Sequence, residues 1–389
     1  MLDNKIFEDT KTAFALKSDS ELDRAYFLFK MISVQPLVKV GTAVTRFALN
    51  AKLPVEKLIR ATVFDHFCGG VNVEDCSTTV EKMHTKNVHS VLDFSVEGEE
   101  EERLFDAAAD KVCHVIEFSE DKKSMPFSVF KPTGFGRFEI FQKLSARQEL
   151  TVSEEKEWKR IRNRFDRVCA KADEADIYLL IDAEESWMQD AADMLVEEMM
   201  EKYNKERAVV SNTIQCYRWD RMDYVKVLHQ EAQKKNYKLG LKIVRGAYME
   251  KERKRAEEMG YDSPICKDKS ETDAHFNAVM AYNFEHLDDI WMFVGSHNEE
   301  SNYLAMELMR QKEIPNNDPR VWFGQLYGMS DHISFNMAAE GFNVAKYLPF
   351  GPVKNVMPYL MRRAEENTSV AGQTNRELTL LQKERKRRD

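Results

Sequence analysis

Eight short apolar runs, spaced by long helical segments, constrain this chain more than any other feature. VHSVLDF lies at 88–94, FSVFKP at 127–132, IYLLIDAE at 177–184 and VVSNTIQCY at 209–217. KLGLKIVRGAY at 238–248, IWMFVGSH at 290–297, VWFGQLYG at 321–328 and NVAKYLPFG at 343–351 complete the set. Runs of this length, rich in β-branched and aromatic residues, read as buried strands. The segments between them have helical periodicity. In one, Trp158, Ile161, Phe165, Val168, Cys169 and Ala172 recur every three to four residues behind a capping box at Thr151 and Glu154. Strand and helix repeated eight times predict a (β/α)8 barrel over residues 88–372. A doubly wound sheet is the structural alternative, but it needs an early glycine-rich phosphate turn. The nearest match, Gly134-Phe-Gly136, lacks the third glycine, and GxxxxGK[ST] is absent.

The flanks read differently. Residues 1–87 predict a helical arm: Leu22, Tyr26, Phe29 and Ile32 follow the cap candidates Ser18, Asp19 and Ser20. A second amphipathic stretch from Pro54 to Cys68 stops at Gly69-Gly70. Residues 373–389 form a basic tail, with five Lys or Arg in the last seven positions. The chain as a whole is acidic, with 57 Lys+Arg against 66 Asp+Glu and a net charge of −9, so a nucleic-acid partner is disfavoured. Six cysteines without a CxxC pair read as reduced core residues. No secretory leader, transit peptide or membrane-length apolar run is apparent. A cytoplasmic protein is therefore expected. The basic tail beside Leu378, Leu380 and Leu381 reads either as a solvated end or as a contact with anionic lipid at the inner membrane face.

In a barrel, the C-terminal strand ends carry the chemistry. Reading them in order gives Lys131, Asp182, Gln215, Tyr248, His297, Gln325 and Tyr347. Lys131 and Asp182 are opposite charges expected in a partly dry site, where they should pair. After the last strand, Tyr359, Arg362, Arg363 and Glu366 fall at i, i+3, i+4 and i+7, on one helical face. Two adjacent guanidiniums can clamp a carboxylate through bidentate, charge-assisted bonds. A solvated salt-bridge face is the alternative. His297 reads as a base, a metal ligand or a ligand donor. The histidines show no convergent ligand spacing, so no metal centre is expected.

Several of these segments together resemble the proline dehydrogenase family. KIVRGAYMEKE at 242–252 and YLPFGPVKNVMPYLMRRAEEN at 347–367 are similar to its signature stretches. IDAEES at 181–186, FVGSHN at 293–298 and FGQLYGM at 323–329 match in order, and FKPTGFGR at 130–137 matches more loosely. The resemblance implies a distorted TIM-type barrel that binds FAD without a Rossmann fingerprint. It implies oxidation of L-proline to Δ1-pyrroline-5-carboxylate by hydride transfer to FAD, with electrons passed to a membrane quinone. The product would go to a separate pyrroline-5-carboxylate dehydrogenase, because 389 residues leave no room for a second enzyme beside the barrel. By resemblance, Arg362 and Arg363 grip the substrate carboxylate, while Tyr347, Tyr359 and Ile333 wall the proline ring. Lys131, Asp182 and Tyr248 belong to the inner, catalytic end. Gln215, Lys242, Arg245, Gly246, Ala247, Ser296, His297, Gln325 and Glu366 fall at cofactor-contacting positions.

Two departures stand out. Where many bacterial members read RLVKGAY, this chain reads KIVRGAY, so Lys242 and Arg245 exchange the basic types at two flavin-side positions. Ile333 replaces a frequent leucine of similar volume. The phenol of Tyr347 is expected to favour proline over hydroxyproline. A non-catalytic sensor barrel and a phosphate- or metal-dependent barrel are the rivals. The first is disfavoured by retention of Lys131, Asp182, Arg362 and Arg363, the second by the missing ligand cluster.

Overall fold

The computed structural model describes residues 5–34, 59–94, 101–369 and 371–389, with scattered positions from 36 to 43. The side chains of 364–373 lie outside the described set. Helices α1 (Thr10–Ala13), α2 (Asp19–Ile32) and α3 (Val73–His84) precede β1 (Val88–Phe94). Then come α4 (Glu102–Ser119), β2 (Phe127–Phe130), α5 (Phe138–Ser145), α6 (Val152–Glu174) and β3 (Tyr178–Ile181). They are followed by α7 (Ser186–Tyr203), β4 (Val210–Gln215), α8 (Arg221–Lys235), β5 (Leu239–Val244), α9 (Met249–Met259) and α10 (Lys269–Glu285). The chain ends with β6 (Ile290–Gly295), α11 (Glu299–Gln311), β7 (Val321–Leu326), α12 (Asp331–Ala339), β8 (Val344–Phe350), α13 (Val353–Ser369) and α14 (Ala371–Arg388). The strands form one closed barrel in chain order, and each falls inside its predicted run. Two compact units share these elements: residues 98–324, and residues 1–97 with 325–389.

In the unit 98–324, β2 to β7 pair in parallel, with Asn212 facing Leu241 and Leu241 facing Met292. Their N-terminal ends are plugged by aromatic rings. Phe127 packs edge-on against Trp322 and Phe293, at centroid distances of 4.8 and 5.4 Å, with Tyr178 and Trp291 beside it. Gly324 makes room for this packing, since a Cβ there would lie 2.1 Å from the Phe293 ring. Each such ring contributes about 1.5–3 kcal/mol when taken out of water. An apolar N-terminal end leaves the C-terminal ends of these strands for polar groups, as barrel architecture requires.

In the other unit, β1 and β8 pair in register from Val88–Val344 to Phe94–Phe350. Of the three cap candidates, Ser18 is the N-cap of α2 and closes a capping box with Glu21: Ser18 N donates to Glu21 Oε2 at 2.7 Å, and Glu21 N donates to Ser18 Oγ at 3.3 Å. The inner face of α2 (Leu22, Ala25 and Phe29) packs with Ala13 and Phe14 against Leu380 and Leu381 of α14. This overturns the reading of the tail leucines as a lipid contact. Leu380 and Leu381 are buried, so a bilayer offers these two no further release from water, and Leu378 is half-buried on the same cluster. Three arginines of the tail are also engaged. Arg385 pairs with Asp23 at 2.6 Å and Arg388 with Asp19 at 2.9 Å, while Arg387 and Arg388 both bond Glu384.

Candidate active site

Within the unit 98–324, Lys131 and Asp182 directly follow β2 and β3. Asp182 forms an ion pair with Lys242, a buried residue of β5 that the sequence did not point to as its partner. Beside them lies a carboxylate that sequence reasoning passed over. Glu184 is buried and accepts from Thr133 N at 2.9 Å and from Thr133 Oγ1 at 2.7 Å. Burial pushes its carboxyl up to about 7, although the Thr133 bonds and the nearby Lys131 charge pull the other way. The signal was present in the IDAEES segment, but nothing in the sequence says which of its acids turns inward.

Gln215, the last residue of β4, bridges two loops. Its Nε2 donates to Glu184 O at 2.6 Å, and its Oε1 lies 3.4 Å from Ala247 N. The 245–248 loop turns at Gly246, where φ is +134° and a Cβ would lie 2.5 Å from the Tyr217 ring. Glycine meets both demands. Arg245 is held on three sides. Its Nε donates to Asp273 Oδ1 at 2.6 Å, and Nη1 and Nη2 donate to Ser296 Oγ and Ser301 Oγ at 2.9 Å each. Its guanidinium lies 4.5 Å from the Phe276 ring centroid. Arg245 and Ser296, expected on the cofactor side, are thus brought together. Asp273 and Ser301 are the missed partners, supplied by α10 and α11. Tyr248 and His297 are half-buried beyond β5 and β6.

Within the other unit, Gln325 is buried on β7 and its Oε1 accepts from Ser334 Oγ at 2.7 Å. Ile333, on α12, is fully buried. Tyr347 does not end β8 as the sequence suggested. It sits mid-strand and half-buried, with its carbonyl accepting from Tyr327 N at 2.9 Å. On α13 the spacing holds: Tyr359 and Arg363 are buried on one face, with the guanidinium 5.2 Å from the ring centroid. Arg362 is half-buried beside them. The side chain of Glu366 lies outside the described residues. Among the described residues, no three His, Cys, Asp or Glu side chains converge as a metal site.

A profile described as proline dehydrogenase matches residues 76–376. The chain belongs to the proline dehydrogenase family. That family consists of FAD-dependent oxidoreductases acting in proline catabolism. The chain is 37% identical over 324 residues to the carbapenem antibiotics biosynthesis protein CarD of Pectobacterium carotovorum, covering 83% of each chain. It is 29% identical to proline dehydrogenase 1, mitochondrial, of Dictyostelium discoideum, over 99% of this chain and 75% of that one. Among solved structures, proline utilization A from Bdellovibrio bacteriovorus superposes with a TM-score of 0.72 at 19% identity. That match covers 94% of this chain and 39% of that one, so the likeness is one of fold and the chain spans about two fifths of the larger protein. Among the described residues, no helix of this proline dehydrogenase-family protein is long and apolar enough to cross a membrane.

Proposed function

We propose that this protein oxidises L-proline to Δ1-pyrroline-5-carboxylate, with FAD as hydride acceptor and a membrane quinone as the final electron acceptor. The observation that carries this reading is the Tyr359–Arg363 face of α13, in a chain that belongs to the proline dehydrogenase family. A guanidinium beside an aromatic ring suits a small ring compound bearing a carboxylate. In this reading Arg362 and Arg363 bind the carboxylate, and Tyr347, Tyr359 and Ile333 restrict the ring.

The donor set in the unit 98–324 fits a flavin. Cations (Lys242, Arg245), an amide (Gln215) and hydroxyl and imidazole groups (Ser296, His297) cluster at the ends of β4, β5 and β6. The chain turns at Gly246 beside them, and Ala247 is exposed. These residues, with Gln325 and Glu366, would hold the FAD. When bound, the flavin supplies the hydride acceptor. The residues of this chain supply orientation: a clamped carboxylate and a walled ring leave the donor carbon little freedom, which is a proximity effect. Asp182 fixes the ammonium of Lys242, and a fixed cation stabilises negative charge that develops nearby. Lys131, Asp182 and Tyr248 are assigned to the substrate's inner side.

Electron transfer to a quinone implies peripheral contact with a membrane, made by surfaces other than the tail leucines. The product would pass to a separate pyrroline-5-carboxylate dehydrogenase. The likeness to CarD favours a second reading, in which the same oxidation feeds biosynthesis rather than catabolism. The purified protein should be yellow, and its flavin absorbance should bleach anaerobically with L-proline. Protein that stays colourless after reconstitution with FAD, or flavin that proline leaves unreduced, would falsify the proposal. Growth of a deletion strain on proline separates the two uses: loss of growth supports catabolism.

A further inference from the structure

The loop between β7 and α12 joins two candidate site residues, Gln325 and Ile333, and is tied down from three distant parts of its own unit. From β8, Lys346 Nζ donates to the carbonyls of Met329 and Leu326. From the arm, His66 Nε2 lies 3.0 Å from Gly328 O. Burial and the nearby Lys17 hold this imidazole well below its ordinary range, at about 3, so it is neutral and Nε2 is the donor. From α14, Glu377 accepts from Ser330 N. Gly328 has φ of +79°, and a Cβ there would lie 2.3 Å from His66 O, so the loop is pressed onto the arm backbone.

Asp331 is the joint of this network. It is buried at the start of α12, with Oδ1 2.8 Å from Lys346 Nζ and Oδ2 3.0 Å from Lys17 Nζ. Burial alone would raise its carboxyl, but the two ammonium groups outweigh it and hold Asp331 well below the usual carboxylate range. Lys17 comes from the turn between α1 and α2. That turn is itself held by the tail: Arg388 donates to Phe14 O at 2.9 Å and to Lys17 O at 2.8 Å. A continuous path therefore runs from the tail, through the α1–α2 turn and Lys17, to Asp331 and the loop.

We infer that Lys17 and Asp331 are positioning residues for Gln325 and Ile333, so that the helical arm sets the seat of a site-bearing loop. The role assigned to the loop rests on the proposed function; the seating itself does not. A buried carboxylate shared by two lysines fixes α12 against β8 only while both contacts persist, because each lost partner leaves charge in a dry place. The local ties then carry outward. Ser334, one turn into α12, donates to the Gln325 amide oxygen.

The test compares wild type with Lys17→Met and Lys17→Arg as purified full-length protein. Amide exchange is measured over 326–334 and, as the control in the same unit, over β1 (Val88–Phe94). Flavin content and kcat/KM for L-proline are measured alongside. In Lys17→Met, exchange of the loop should rise about ten-fold while β1 is unchanged, and kcat/KM should fall at least about ten-fold. Lys17→Arg should restore both to within about three-fold, because the cation is retained. Wild-type exchange in the Lys17→Met loop overturns the inference. So does equal acceleration in β1, which would make Lys17 a general stabiliser. If proline fails to reduce the wild-type flavin, the functional reading falls, and the exchange comparison alone decides the seating.

Discussion

Glu184→Gln should remove a pH-dependent loss of stability built into the barrel. Glu184 is buried, and its carboxyl is pushed up to about 7 from an ordinary value of 4.5. Below pH 4.5 both the folded and the unfolded chain hold its proton, and burial carries no ionisation penalty. Between pH 4.5 and 7 the unfolded chain releases the proton while the folded one keeps it, so stability falls as pH rises. Above pH 7 the loss is complete and amounts to about 3 kcal/mol. Glutamine cannot ionise, and it can keep both bonds: its oxygen accepts from Thr133 N and its amide donates to Thr133 Oγ1. Urea unfolding of wild type and variant at pH 5 and pH 8 isolates this term, because every other titrating group is common to both. The variant should gain about 2–3 kcal/mol relative to wild type between the two pH values. An unchanged difference between variant and wild type at both pH values would refute the reasoning, and Glu184 would then ionise as an ordinary carboxylate.

Other substitutions probe separate parts. Arg363→Lys keeps the charge but loses the planar fork, and should raise KM for L-proline about ten- to hundred-fold with a smaller change in kcat, measured by steady-state turnover. Leu381→Ala should cost about 2–5 kcal/mol in urea unfolding, because it opens a cavity between α14 and α2, and should leave liposome association unchanged. Gly246→Ala places a methyl in the Tyr217 ring at a backbone angle that disfavours a side chain, so the purified protein should carry less than about half the wild-type flavin by absorbance.

The strands were legible because buried parallel strands are written as near-continuous apolar runs. The Tyr359–Arg363 contact was legible because residues four apart on a helix must meet. What sequence concealed is tertiary. Asp182 pairs with Lys242, a cation inside another strand, and no sequence spacing says that the two side chains meet. Arg245 finds Asp273 and Ser301 on two later helices, a convergence that no spacing encodes. Lys346 is a lysine inside an apolar strand; that anomaly was visible but pointed to no partner. The basic tail was ambiguous for a similar reason, since Arg385, Arg387 and Arg388 have the same sequence whether solvated or paired.

The in-register pairing of β1 with β8 has a consequence for how the chain reaches its fold. Val91 faces Tyr347 across about two thirds of the sequence, so this seam is a contact of very high sequence separation. During synthesis, the residues of the unit 98–324 emerge together and can collapse on their aromatic plug without waiting. β1 is made before all of them and its partner after them. Until residues 344–350 appear, its backbone donors and acceptors on that side have only water or another chain to bond. Closure of the seam should therefore be a late step of folding, and the newly made chain is most exposed to edge-to-edge association just before it.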